Sequence, residues 1–149
     1  MIVSGLLALL ASTLFAGAAI YITLVEHPAR LECGTELAAT VFGPSYRRAA
    51  LMQAGLALAA SVAGLAAGLT HGHWLWYLGT TLIFAVVPFT FVVIMPTNKR
   101  LLDPARQASA EDTPALLLRW GRLHAVRSLL SVVAVAAFAT GLSLSLIHI

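Results

Sequence analysis

Apolar side chains run almost unbroken through three stretches of the chain, and no Asp, Glu, Lys or Arg occurs in residues 1–25, 49–98 or 128–149. A hydrocarbon core of roughly 30 Å is crossed by about 20 apolar residues as helix. The first and last stretches therefore each supply one span, and the middle stretch, about twice that length, supplies two. The middle stretch breaks at Thr70, His71, Gly72 and His73, where a glycine between two imidazoles interrupts the apolar run. The pattern predicts an all-α integral membrane four-helix bundle, a single domain with spans at about 2–25, 49–69, 74–95 and 128–146.

Every charged side chain falls in residues 26–48 or 96–127, which are read as the aqueous connections. In up-down-up-down order both connections lie on one side of the membrane, with the His71 hairpin and both termini on the other. Because the connections hold every Lys and Arg, the positive-inside rule places them in the cytoplasm, which gives N-out and C-out. A bacterial inner membrane is the expected location. Trp74, Trp76 and Tyr77 follow the hairpin and are read as interfacial anchors.

Composition sharpens this picture by exclusion. The chain has 149 residues, 60% of them hydrophobic and 10% charged, with mean hydropathy +0.91; a soluble domain carries roughly 25% charged residues. Soluble and disordered readings are both excluded on those grounds. The net charge of +3 is explained by cations flanking membrane spans, so no nucleic-acid partner is inferred. Cys33 is the single cysteine and has no second thiol with which to form a disulfide or metal site. A cleaved leader over residues 1–18, ending near Ala16, Gly17 and Ala18, is the alternative for the first span, although a positive n-region is missing. Residues 143–149 read in part like translated sequencing-adaptor sequence, and no chemistry is placed on His148.

Within the spans, Pro88 predicts a bend or a cavity. Gly64 and Gly68, extended by Ala60, form a row of small residues that lets helices approach closely, as do Ala137 and Gly141. Such a row packs within the bundle or, through Gly64 and Gly68, against a second copy.

Polar side chains at span ends are costly near hydrocarbon and mark candidate sites. Glu26, His27, Pro28, Ala29 and Arg30 close the first span, Gln53 lies one turn inside the second, Pro96, Thr97 and Asn98 close the third, and 119–127 opens the fourth. In the last segment Trp120, His124 and Arg127 are spaced i, i+4 and i+7 and share a helical face. The topology brings these groups to one depth from four helices, and a polar pocket is expected there. Each residue also has a plainer account: Arg127 reaching headgroups, Asn98 capping the third helix, His27 ending the first, and Trp120 in the aromatic belt. His71 and His73 lack a nearby carboxylate for a metal site, and no CxxC, HExxH, GxGxxG, P-loop or GxSxG motif occurs.

The first span ends in His-Pro-Ala-Arg, Arg-Arg-Ala-Ala-Leu-Met-Gln leads into the second, Pro-Thr-Asn-Lys-Arg-Leu-Leu follows the third and Trp-Gly-Arg-Leu-His-Ala-Val-Arg leads into the fourth. In these motifs the chain resembles the anthrone-oxygenase-like membrane family. The resemblance implies oxidation of an anthrone or similar planar aromatic compound by dioxygen as co-substrate, without an evident cofactor. In that chemistry His124 is the candidate base, Arg127 and Asn98 stabilise the phenolate-like oxygen, and His27 is a second base or orients the first. Trp120 stacks on the substrate, and Gln53 and Arg30 contact it. Two alternatives stand beside this reading. One is a haem or metal held by His27 and His124; the other is a non-enzymatic membrane protein that binds lipid or a partner helix. A transporter is disfavoured because no carboxylate lies within the spans.

Overall fold

A computed structural model describes residues 2–105 and 110–147, so Met1, His148 and Ile149 lie outside the described residues. It is all-helical, with no strand among those residues: α1 is Ile2–Glu32, α2 Thr35–His71, α3 Trp74–Leu101 and α4 Thr113–Ile147. All four helices are long and apolar enough to cross a membrane, in keeping with an integral membrane protein. Each packs against its neighbour in sequence, and α1 closes the ring against α4, which gives the up-down bundle.

The helices outrun the apolar spans. At 1.5 Å per residue the 37 residues of α2 extend about 55 Å, well beyond a hydrocarbon core of roughly 30 Å. Residues 26–48, read from the sequence as an aqueous connection, are helical except at Cys33 and Gly34. Gly34 turns the chain there with φ +93°. At the other end Gly72 terminates α2 in the left-handed conformation (φ +68°), its N–H donating to Gly68 O at 2.9 Å, which only glycine does at little cost. His73 then caps α3 by accepting the Leu75 N–H at Nδ1.

Nor does His27 end the first helix or Asn98 the third. Pro28 and Pro96 lack the N–H that an α-helix would direct four residues back, and the chain passes each one by widening locally to a π turn. These turns lie at Ile22–Glu26 and Thr90–Ile94, where His27 N–H reaches Ile22 O and Met95 N–H reaches Thr90 O. Both helices continue beyond the proline.

Small residues such as Ala8, Ala19, Ala57, Ala60, Ala67 and Ala134 fill the interior, while many of the large aliphatic side chains point outward. This arrangement suits helices whose association rests on close contact rather than on a difference in polarity from lipid. At the hairpin end aromatic rings occupy the glycine positions. A Cβ on Gly79 would lie 2.6 Å from the Phe138 ring, and Gly64 and Gly68 abut Phe138 and Tyr77 of the same chain. Trp76 departs from the sequence reading: it is fully buried against Gly5, Gly141 and Phe138. Of the three aromatics read as interfacial anchors, Trp74 and Tyr77 are exposed, whereas Trp76 is core. At about 100° per residue, Tyr77 one position on and Trp74 two positions back point away from the inward face that Trp76 occupies.

Candidate functional site

The charged end of the bundle is built differently. From α4, Trp120, His124 and Arg127 line one cavity, as their spacing predicts, together with Ile22 and Arg30 of α1 and residues of α2 that include Tyr46 and Gln53. The i, i+4, i+7 face of α4 thus turns toward α1 and α2. Five of the seven candidate side chains come together: Arg30, Gln53, Trp120, His124 and Arg127. His27 and Asn98 line neither this cavity nor the more apolar one that adjoins it. The His27 Nε2–H donates to Leu117 O at 3.0 Å and the ring packs on Gly121, where a Cβ would lie 2.8 Å away, so His27 fastens α1 to α4. Asn98 is wholly buried, with both amide atoms unpartnered.

The His124 ring stacks on Trp120 at 4.8 Å and 27°. Its Nδ1 lies 3.0 Å from Thr23 Oγ1 of α1, which leaves Nε2 as the nitrogen without a partner among the described residues. Trp120 also meets Phe42 edge-on at 5.2 Å and His27 at 5.0 Å. Arg127 Nη2 donates to Gln53 Oε1 at 2.8 Å, and its guanidinium sits 5.5 Å from the centroid of the Phe15 ring. This cation–π contact and an amide oxygen are neutral company for a cation.

Arg30 differs in that a carboxylate balances it. Its Nη2 donates to Glu26 Oε1 and, at 3.1 Å, to Ser45 Oγ; Ser45 in turn donates to Glu26 at 2.6 Å. The triad joins α1 to α2. Arg127 makes no ion pair among the described residues. Of the two cavity-lining arginines, only Arg127 therefore offers its charge to a ligand uncompensated.

Unpartnered donors concentrate on this wall. Gln53 Nε2, Trp120 Nε1, Arg30 Nε and Arg127 Nε are buried with no hydrogen-bond partner among the described residues, and all four residues are at least nine-tenths buried. A buried donor left unmade costs about 1–3 kcal/mol. A lining with several such donors is suited to an acceptor, above all an oxygen that carries negative charge.

A second cavity of about 110 Å³ adjoins the first and shares Tyr46, Ala50, Gln53 and Arg127 with it. The rest of its wall is mostly apolar, including Phe15, Val86, Val87 and Phe91. It sits beside Pro88 and the π turn of α3, which answers the expectation of a bend or a cavity there. Ala54 and Phe91 on its wall are exposed on the outer face of the bundle, between α2 and α3. The Gln53–Arg127 pair stands between an apolar space that opens toward the outer face of the bundle and the polar space beside His124.

No group of three or more His, Cys, Asp or Glu among the described residues is placed to hold a metal ion. Sequence reasoning missed Thr23, Ser45 and Ser128. Thr23 sits in an uncharged span and reads there as an ordinary helix hydroxyl; its place five residues ahead of Pro28 was the available signal.

Residues 42–137 match the family model described as anthrone oxygenase. Over 49 residues the chain is 47% identical to anthrone oxygenase tpcL of Aspergillus fumigatus, a match covering 30% of each chain. Over 69 residues it is 33% identical to anthrone oxygenase ptaC of Pestalotiopsis fici, covering 38% of this chain and 49% of that one. The chain thus spans less than half the length of either curated relative. No solved structure matches it. The family match includes Gln53, Asn98, Trp120, His124 and Arg127 and begins after Thr23 and Arg30.

Proposed function

The chain belongs to the anthrone oxygenase family, and from that premise we propose that it oxidises an anthrone-like planar aromatic compound with dioxygen. The observation that carries this reading is the set of unpartnered donors on the cavity wall beside His124, with Arg127 in no ion pair among the described residues. The apolar rings lie in the cavity that opens toward the outer face of the bundle, and the ring oxygen faces Arg127 and Gln53.

His124 Nε2 removes a proton from the activated methylene carbon. The charge that develops on the ring oxygen is met by N–H donors already fixed in place. The electron-rich anion passes one electron to dioxygen, and the two radicals join at the former methylene carbon as a peroxide, which takes the first proton back from His124 to give a hydroperoxide. His124 then removes the second C–H proton, the C–H electron pair forms the carbonyl as the O–O bond breaks, and the hydroxide released takes that proton from His124 to give water. One anthrone and one dioxygen give one anthraquinone and one water. Trp120 holds the planar ring system beside the base.

The test is oxygen uptake and anthraquinone formation by the detergent-purified chain supplied with anthrone. Catalysed turnover that falls about 100-fold or more in His124→Gln supports the reading. A rate no greater than that of anthrone in buffer, or an undiminished rate in the variant, overturns it. A Soret band or stoichiometric metal lost on replacing His27 or His124 would favour the cofactor alternative instead.

A further inference from the structure

We infer that Thr23 is a positioning residue that holds His124 in the Nδ1–H tautomer and leaves the Nε2 lone pair toward the cavity. Its catalytic consequence rests on the reading of His124 as the base; the tautomer itself does not.

Thr23 Oγ1 has three neighbours at hydrogen-bond distance: Ala19 O at 2.9 Å, His124 Nδ1 at 3.0 Å and Ser128 Oγ at 2.8 Å. A hydroxyl donates once and accepts twice. Ala19 O accepts only, and two oxygens 2.9 Å apart with no proton between them repel, so the Thr23 proton lies on the line to Ala19 O. Both remaining neighbours must then donate to Thr23. Ser128 does so with its hydroxyl; its other acceptor, His124 O, is 3.3 Å away. His124 does so with Nδ1–H. The Thr23 oxygen is saturated, and the neutral imidazole has its proton on the nitrogen that faces α1.

His27 is held in the opposite sense. Leu117 O can only accept, so the His27 proton is on Nε2. The two imidazoles, 97 residues apart in the sequence, are fixed in different tautomers by neighbours of different kinds, and that choice is made by the partner of the other ring nitrogen. Of the two, only His124 lines the cavity. Thr23 itself is carried on the π turn at Ile22–Glu26, so the widened turn that lets α1 pass Pro28 also bears the hydroxyl that meets α4.

The test uses the full chain in detergent with ¹⁵N-labelled histidine at mildly alkaline pH. Long-range ¹H–¹⁵N correlation distinguishes the two tautomers, and the His124 signals are assigned by their loss in His124→Gln. Protonated Nδ1 in the wild type, displaced toward Nε2–H in Thr23→Val and restored in Thr23→Ser, is the expected result. Ser128→Ala removes only the second donor and leaves the His124 tautomer unchanged. A wild-type ring protonated at Nε2, or a Thr23→Val spectrum identical to wild type, overturns the inference. Should Thr23→Val not fold, the wild-type tautomer and the Thr23→Ser and Ser128→Ala spectra decide the matter. With anthrone as substrate, Thr23→Val is expected to lower kcat roughly 10-fold or more, with Thr23→Ser recovering most of it. If the wild type turns over no anthrone, the proposed function falls while the spectra still judge the tautomer.

Discussion

Of the tryptophan–histidine stacks in the bundle, two that involve buried indoles sit at its opposite ends. At the hairpin end His71 lies 5.7 Å from Trp76 at 23°; at the charged end His124 lies 4.8 Å from Trp120 at 27°. Each pair leaves the indole N–H unpartnered. The difference is in what surrounds them. Trp76 is wedged against Gly5 and Gly141 with Phe138 alongside, so that its ring occupies space a side chain would otherwise take. Trp120 instead borders a cavity with an uncompensated guanidinium and a carboxamide on its wall. A stacked pair of this kind is packing where neighbours fill the space and a candidate site where they leave room and present donors to it.

The largest difference between the two ends is expected from the paired substitutions His124→Gln and His71→Gln. The first is expected to reduce anthrone turnover about 100-fold or more, and the second to leave it within a few-fold; equal losses would dissolve the distinction between the two ends. Next comes Arg127→Leu, which removes charged donors from the cavity. Hydrogen bonds to charged groups contribute about 1.5–3 kcal/mol, so binding of anthraquinone, an unreactive probe, should weaken roughly 10- to 100-fold by equilibrium titration. Unchanged affinity would mean that the donors do not meet the ligand.

At the hairpin end the expected effect is on stability. Gly79→Ala introduces a Cβ 2.6 Å from the Phe138 ring, and overpacking of this kind destabilises by about 1–3 kcal/mol. The thermal midpoint in detergent should fall while kcat per folded molecule holds. Smallest of all is Arg100→Ala. Its 2.6 Å pair with Asp112 is exposed on both sides, and such pairs contribute about 1 kcal/mol or less; a large loss of stability would show that the link between α3 and α4 matters more than its exposure implies.

Much of the site was legible before the structure. Trp120, His124 and Arg127 share a face because 3.6 residues make a turn, and a polar Gln53 just inside an uncharged span stands out against its neighbours. The roles of His27 and Asn98 were not legible in the same way. Both sit at the expected depth, but depth does not specify the direction in which a side chain points around the helix. The π turns at Ile22–Glu26 and Thr90–Ile94 each add a residue to a turn and so shift the register of the helix beyond them. His27 meets Leu117 rather than the cavity, and Thr23, unremarkable in sequence, meets His124.

By itself, then, the order of residues determined four helices and a polar end. Uncharged stretches long enough to span hydrocarbon must satisfy their backbone groups internally, and charges are driven to where the stretches end. The helices' extension past Pro28 and Pro96, the plugging of glycine positions by Trp76 and Phe138, and the proton arrangement at His124 were decided only by tertiary structure. Each depends on which atom of one helix lies within about 3 Å of which atom of another, a distance that no periodicity along a single chain encodes.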